Sequence, residues 1–472
     1  TRAMMHSFYV RDRWQVNKKL TFSFGTRWEY FPVPRRADRG FERYNPDTNM
    51  MEIGGVGAVP VNLGVKVSKR LFAPRFGLAY RATDKFVIRA GYGLTNDPYS
   101  LSRPMRTNHP VLIELNVTAP NSLSPAGRFA NGIPPVPVPS LGNGIIPVPD
   151  NVTANTIPTY FDRGYIQSWN FVLERNLGHD FVGEVGYVAT RQVRLLGYRE
   201  LNWSPIGGGN SGRQLNKKYG RTAETKLVTP IGNTHYDSLQ ARLQRRFAGF
   251  YMLDASYTWS KSITTSGTDS SDNTLPINIP EYYALNRSIS GLDRTHNFQV
   301  TNVTELPFGR RQRWLGDRGV LSTLAGGWQL SSVISFISGQ PFTVTSSGSS
   351  LNAPGNSQRA DQVKPTVDIL GGVGPGTPWF DPTAFAAVNT ARFGNVGLNR
   401  MRGPGIRTWD LGLARRFQLT ERVNLQFRMD ASNFTNTPMF DNPRTDASGT
   451  GLGEITTAWG EREVRVGIRI GF

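Results

Sequence analysis

The chain has no cysteine among its 472 residues. This excludes disulfides, thiolate metal sites and cysteine nucleophiles, and places the chain in no compartment. No stretch reaches the roughly 18–20 uninterrupted apolar residues that a membrane helix needs. Mean hydropathy is −0.37, a value ordinarily read as soluble. A membrane protein built of strands escapes that test, because only alternate strand residues need be apolar. Histidine is scarce, and His6, His109, His179, His235 and His296 are scattered. Asp293, His296 and Glu281 therefore lack the second imidazole that would make them a convincing metal site. Ser256 or Ser260 beside Asp254 has no placeable histidine for hydrolase chemistry. Glycine-rich runs such as Gly207-Gly-Gly209 lack the Gly-Lys-Ser/Thr that completes a phosphate-binding loop. No metal, no cofactor and no enzymatic activity are expected. A starting Met and a signal peptide are also missing, so an upstream segment is expected before Thr1.

Positive charge and aromatic residues are abundant. Lys and Arg outnumber Asp and Glu by 54 to 35, a net charge of +19, and 11% of residues are aromatic. Such an excess suggests nucleic acid or an anionic surface. The arginines are spread over many strand-like runs, at Arg27, Arg75, Arg89, Arg242, Arg428, Arg465 and Arg469, rather than gathered on one helix. Arg310-Arg-Gln-Arg313 is the one dense cluster. No nucleic-acid partner is expected.

The last residues are the most informative. Val464, Val466, Ile468, Ile470 and Phe472 fall on one face of a strand, and Glu463, Arg465, Gly467, Arg469 and Gly471 on the other. One face suits lipid and the other a polar lumen. In Leu20–Tyr30, Leu20, Phe22, Phe24, Trp28 and Tyr30 oppose Arg27 and Glu29. Ten intervals of about 3.3 Å make roughly 33 Å, and a tilt of ~40° brings the rise to ~25 Å, the height of an outer-membrane apolar band. Comparable runs cover Phe72–Arg81, Phe86–Leu94, Tyr165–Leu177, Phe181–Thr190, Tyr236–Phe247 and Phe250–Lys261. Thr295–Leu306, Gly327–Ser338, Trp409–Phe417 and Val423–Phe434 follow. With Ser7–Trp14, where Asp12 shares a face with Phe8 and Trp14, about 13 strands are predicted.

The gaps alternate. Short ones follow Trp14, Arg81, Leu177, Phe247 and Phe417. Long ones, rich in Pro, Gly, Asn and Ser, span 32–70, 96–163, 191–235, 262–294, 339–408 and 435–460. A medium connection spans 307–326. Short turns at one end and long loops at the other are expected of an outer-membrane barrel. Loops this long are usually functional or disordered. Thirteen alternating strands leave the first and last pointing the same way, which cannot close an antiparallel barrel. A hairpin of Met50–Ile53 with Val61–Val67 would not change that parity. An odd number of further strands is expected upstream, because an open edge in lipid costs several kcal/mol per unpaired group.

These residues resemble the C-terminal barrel of TonB-dependent outer-membrane receptors. In particular they are similar to the large Acidobacteria-type receptors with an N-terminal carboxypeptidase-regulatory-like domain. The stretches that carry the resemblance are Phe8-Tyr-Val-Arg-Asp-Arg-Trp14, Leu20–Tyr30, Phe72-Ala-Pro-Arg-Phe-Gly-Leu-Ala-Tyr80 and Asp293-Arg-Thr-His-Asn-Phe298. Glu305-Leu-Pro-Phe-Gly309, Gly327-Trp-Gln-Leu330, Asn433-Phe-Thr-Asn-Thr-Pro438 and the terminal Phe continue it over nearly the whole chain. The resemblance implies an all-β, antiparallel transmembrane barrel, of which residues 1–472 supply about 13 of 22 strands. It implies a plug domain and first strands upstream, contact with the TonB complex through that plug, and residence in the bacterial outer membrane. The implied function is TonB-dependent uptake of a scarce oligosaccharide, metal chelate or peptide.

Lipid and lipopolysaccharide would face the apolar side. Val464, Val466, Ile468, Ile470 and Phe472 would be the signal that the barrel-assembly machinery recognises by strand pairing. Arg27, Glu29, Arg75, Arg89, Asp254, Arg428 and Asp430 are the lumen-lining candidates, placed by face. Tyr160, Trp203, Tyr282, Tyr283 and Trp379 are the loop candidates for stacking on a small-molecule or oligosaccharide ligand. A passive porin, a surface interaction barrel without energised transport, and a soluble β-rich adhesion domain remain as alternative readings.

Overall fold

Alternation of apolar and polar residues is realised in the long strands of one large sheet. The computed structural model describes residues 1–113, 119, 123–132, 135, 138–267, 274–309, 314–315 and 319–472. The long strands are β1 (His6–Gln15), β2 (Leu20–Tyr30), β3 (Leu71–Thr83), β4 (Phe86–Asn96), β5 (Tyr165–Gly178) and β6 (Phe181–Glu200). They continue as β7 (Thr225–Ala248), β8 (Tyr251–Thr264), β9 (His296–Glu305), β10 (Trp328–Ile337), β11 (Ile406–Gln418), β12 (Asn424–Ser432) and β13 (Glu463–Gly471). Each strand hydrogen-bonds to the next in chain order, and every pairing along this path is antiparallel. Two short strands lie off the path: Ala154–Thr156 runs parallel to the start of β7, and Ser288–Ile289 pairs with the end of β8.

Strands β1 and β13 are the two ends of the sheet and point the same way. Among the described residues they do not pair with each other, so the sheet is open between them. Every residue of β1, and all of β13 but Gly471, is exposed.

Register keeps the two faces separate. Directly opposed residues of an antiparallel pair share a face, and a slip of one would exchange the faces. Phe24 opposes Phe76, which opposes Tyr92. Tyr257 opposes Phe298, which opposes Phe336. This apolar face stays open, with Phe76 57% and Ile468 68% exposed. Asp12 lies on it, opposite Phe24, as its parity with Phe8 and Trp14 requires.

The connections alternate in length. Short turns join β1 to β2, β3 to β4, β5 to β6, β7 to β8 and β11 to β12. The β5–β6 turn needs positive φ at Gly178, His179 and Asp180. In the β1–β2 turn the Asn17 side chain accepts the N–H groups of Lys19 and Leu20. The medium connection after β9 contains a short helix, Val320–Ala325. The basic cluster Arg310–Arg313 lies outside the described residues.

The long loops gather at the opposite end and build a second, packed layer. One core joins Phe41, Leu63 and Val65 of the β2–β3 loop to Leu101, Met105 and Phe161 of the β4–β5 loop. Another joins Phe342 and Phe380 of the β10–β11 loop to Leu452 of the last loop. Backbone bonds link loop to loop, as from Ser204 N to Pro354 O (2.9 Å) and Trp379 N to Gly453 O (2.7 Å). Each fully buried large apolar side chain contributes about 1.5–3 kcal/mol, which orders segments whose composition suggested mobility.

Two expectations change here. Met50–Ile53 does not pair with 61–67; it sits between Glu42–Asn45 and Ile145–Pro147 in a three-stranded loop sheet. Its apolar residues Met51 and Ile53 are buried against loop residues, which supplies the burial that the sheet's apolar face would otherwise have offered. Strands β6 and β7 also run much further than their alternating runs. Beyond a register shift at Gln192–Leu195 they continue as a ribbon that carries Leu196 and Val228 into the loop core.

Candidate functional site

The polar face runs unbroken across the sheet. Parity places Arg27 and Glu29 on it in β2. The opposed pair Gly25 and Arg75 carries it into β3, and Ala79 opposite Arg89 carries it into β4. From there it passes through Glu184 opposite Arg242 and Ser256 opposite Arg242. Gly412 opposite Asp430 and Arg428 opposite Gly467 bring it to the last strands. All seven residues chosen by parity therefore lie on one face.

Most of these charges are paired. Arg27 meets Glu29 at 3.0 Å, and Glu29 also accepts Asn96 Nδ2 at 2.9 Å. Arg89 bridges Glu174 at 2.6 Å and Glu184 at 3.0 Å, joining three neighbouring strands. Arg242 Nε donates to Asp254 at 2.9 Å, and Arg428 meets Asp430 at 2.6 Å. Arg75 forms no ion pair among the described residues. Glu174 and Glu184 were not singled out from the sequence, although the same two-residue period places them on this face.

At the loop end this face forms a cavity of about 400 Å³. Its wall carries hydroxyls from Thr234, Tyr236, Thr258, Ser260 and Ser262, and amides from Gln192 and Asn297. Ser290, Asp293 and Arg294 of the β8–β9 loop fold over it. Three bonds hold that cap: Ser260 Oγ to Arg294 O (2.9 Å), Ser290 N to Ser262 O (3.0 Å), and Ser262 N to Asp293 Oδ1 (2.6 Å). Asp293 is 2% exposed and pairs with Arg402 of the β10–β11 loop. It is thus an anchor between loops, and His296 points elsewhere, bonding Tyr257 Oη at 2.8 Å. Burial, with Arg402 nearby, holds the Arg294 guanidinium below its usual range, and Asp293 opposes this. Such a wall can hold a hydroxylated solute through neutral hydrogen bonds.

The five loop aromatics do not form one surface. Tyr160 is exposed on a short strand beside Lys66. Trp203 packs against the core of Ile277, Ile279 and Phe393. Trp379 packs against the core of Phe342 and Phe380, and its Nε1 donates to Arg402 O at 3.1 Å. Tyr283 is half-buried, with the Arg199 guanidinium 5.3 Å from its ring centre. Tyr282 is exposed and meets Phe393 edge-on at 5.1 Å.

Sequence reasoning missed the buried charges of the loop layer, because a charged loop residue reads as surface. Arg163 donates to Tyr99 O at 2.6 Å and to Asp97 O at 3.1 Å, and burial pushes it down to about 10. Arg221 is fully buried over the Tyr44 ring. Burial pushes the Tyr44 phenol up to about 12. Glu200, at the loop end of the β6 ribbon, accepts the N–H groups of Asn202 and Thr225, both at 2.8 Å, through Oε1 alone. Its Oε2 is buried without a partner among the described residues, and burial pushes the carboxyl up to about 7.

The family profile described as outer membrane beta barrel domain matches residues 1–465. No curated protein matches the chain. Among solved structures, the outer membrane transporter YddB from Escherichia coli is 10% identical, with a TM-score of 0.51 over 99% of this chain and 54% of that one. The FrpB iron transporter from Neisseria meningitidis is 10% identical, with a TM-score of 0.46 over 98% of this chain and 44% of that one. P. aeruginosa FpvA bound to a heterologous pyoverdine is 9% identical, with a TM-score of 0.42 over 99% of this chain and 38% of that one. The chain spans about half the length of these structures or less.

Proposed function

Because the chain belongs to the outer membrane β-barrel domain family and resides in the bacterial outer membrane, we propose that it is the larger part of a TonB-dependent receptor barrel that takes up a scarce solute. The observation that carries this reading is the continuous polar face beneath a packed loop layer. A wall of ion-paired side chains and hydroxyls suits a solute path, and loops ordered by their own cores suit capture at its mouth. In this reading the apolar face meets lipid and, at its outer rim, lipopolysaccharide. The edges of β1 and β13 are closed by strands that precede Thr1, within a barrel of about 22 strands.

A plug upstream fills the lumen and carries the contact to TonB, in a receptor of the type with a carboxypeptidase-regulatory-like domain. The last strand, through Val464, Val466, Ile468, Ile470 and Phe472, presents the barrel to the assembly machinery. Arg27, Glu29, Arg75, Arg89, Asp254, Arg428 and Asp430 line the path. The solute is an oligosaccharide, a metal chelate or a peptide, and of the five loop candidates Tyr160 and Tyr282 are exposed enough to meet it. No catalytic role is assigned.

The test uses the full-length protein in a planar bilayer and in a cross-linking assay with the TonB C-terminal domain. A plugged receptor conducts negligibly and cross-links to TonB. A steady open-channel conductance without cross-linking would identify a passive porin and reject the proposal.

A further inference from the structure

The loop layer contains a second cavity, of about 440 Å³, between the β8–β9 and β10–β11 loops. Arg287, Arg359 and Arg392 line it, together with Tyr282, Phe393 and Asn395. Tyr282 and Arg287 are exposed, so it opens to solvent. Its size lies within the range of small-molecule pockets, about 300–1,000 Å³.

Among the described residues, two of these three charges are uncompensated. Arg392 forms a two-pronged pair with Asp361, Nη1 to Oδ1 at 2.9 Å and Nη2 to Oδ2 at 2.6 Å. Neither Arg287 nor Arg359 has an ion-pair partner among the described residues. Arg359 is 4% exposed, and its Nε is buried with no hydrogen-bond partner among the described residues. Burial holds its guanidinium below the usual range. Among the described residues, no Asp or Glu lines the cavity. A buried cation without a partner is costly, and folds rarely keep one unless something else supplies the counter-charge.

The surrounding backbone is held firmly in place. Gln358, itself 4% exposed, accepts from Arg359 N (2.9 Å) and Gly394 N (3.2 Å), and donates to Arg392 O at 2.8 Å. Asn395 N donates to Asp361 at 3.1 Å. At Gly394 a Cβ would stand 2.2 Å from Arg359 O, so only glycine allows the two segments this close. The backbone that carries Arg359 is thus fixed in position before any ligand arrives, which lowers the ordering cost of binding.

We propose that this cavity is a binding site for a soluble oxyanion, a carboxylate- or phosphate-bearing solute, held by Arg359 with Arg287 at the mouth and Tyr282 against its apolar part. A guanidinium fork matches the two oxygens of a carboxylate or phosphate. The inference deepens the receptor reading by naming a ligand class, and it rests on that reading for the outward placement of the loops. Binding is measured directly, so its failure is separable from a failure of the conductance and cross-linking assays.

The experiment is calorimetric titration of the full-length protein in detergent with citrate and, separately, with pyrophosphate. A third arm uses liposomes containing lipopolysaccharide. Binding of at least one soluble anion is expected, weakening as salt is raised. Arg359→Gln is expected to lower affinity about tenfold or more, with Arg359→Lys between the two. Arg287→Gln changes an exposed residue and keeps the test open if the Arg359 variants do not fold; it is expected to weaken binding several-fold. The proposal is overturned if neither soluble anion binds, if only the lipopolysaccharide liposomes bind, or if affinity survives both the Arg359→Gln and Arg287→Gln changes.

Discussion

Asp293 and Arg402 form an ion pair between two loops 109 residues apart, and the Asp293 carboxylate contributes no exposed surface. The same carboxylate receives Ser262 N–H from β8. One side chain thus ties the β8–β9 loop, the β10–β11 loop and the rim of the hydroxyl-lined cavity together. Asp293→Asn should cost about 1–3 kcal/mol, less than a fully buried pair because Arg402 keeps some water. Hydrogen exchange should rise in residues 288–294 while the β1–β4 region stays protected. Unchanged exchange there would show that the cap is held without the pair.

Arg89 holds Glu174 and Glu184 on adjacent strands. Arg89→Ala leaves two carboxylates facing each other, so unfolding in guanidinium should shift by about 1–2 kcal/mol. Adding Glu174→Gln should recover much of that loss. If the double variant is no better than the single one, the pair energies are not coupled.

Glu200 makes the loop layer sensitive to pH. Its carboxyl is pushed up to about 7 by burial, against the opposing N–H bonds of Thr225 and Asn202. The unfolded chain titrates near the ordinary value of 4.5. Between these values the folded state binds more protons, so stability falls as pH rises from about 4.5 to 7 and is level above. The penalty above pH 7 is roughly 3 kcal/mol. Glu200→Gln should therefore melt higher than the parent at pH 8 and match it near pH 4.5. A parent protein that grows steadily more stable from pH 5 to 8 would contradict the assignment.

Ile468 is 68% exposed on the apolar face of β13 and opposes Phe427. If that face meets lipid, Ile468→Arg should cost about 2–4 kcal/mol near the bilayer midplane. The neighbouring Gly467 on the polar face should tolerate Ser at little cost. Removing Phe472, which is wholly exposed, should lower the amount of folded protein in the outer membrane but not its melting temperature once assembled. Equal outer-membrane levels with and without Phe472 would remove its role as an assembly signal.

The strands were legible because their signal is local. Period two and a length of about ten residues are written in runs such as Leu20–Tyr30, and the faces of Arg27, Arg75 and Arg428 follow from parity. The loop layer was not legible. Trp203 and Trp379 read as ligand aromatics, yet Trp203 packs into a core drawn from two other loops and Trp379 into the core of its own long loop. Met50–Ile53 reads as a hairpin strand, and the structure pairs it with Ile145–Pro147. Arg359 and Glu200 carry no pattern at all; only the burial imposed by distant segments distinguishes them from surface charges.

Sequence alone determined which side chains share a face and at which end the long connections lie, because both follow from alternation along one strand and from the spacing between strands. Tertiary structure decided the rest. That Arg89 reaches Glu184, 95 residues away, and that Arg359 is buried without an ion-pair partner among the described residues, depend on which segments lie side by side. Packing between loops sets that arrangement, and no periodicity within a single segment encodes it.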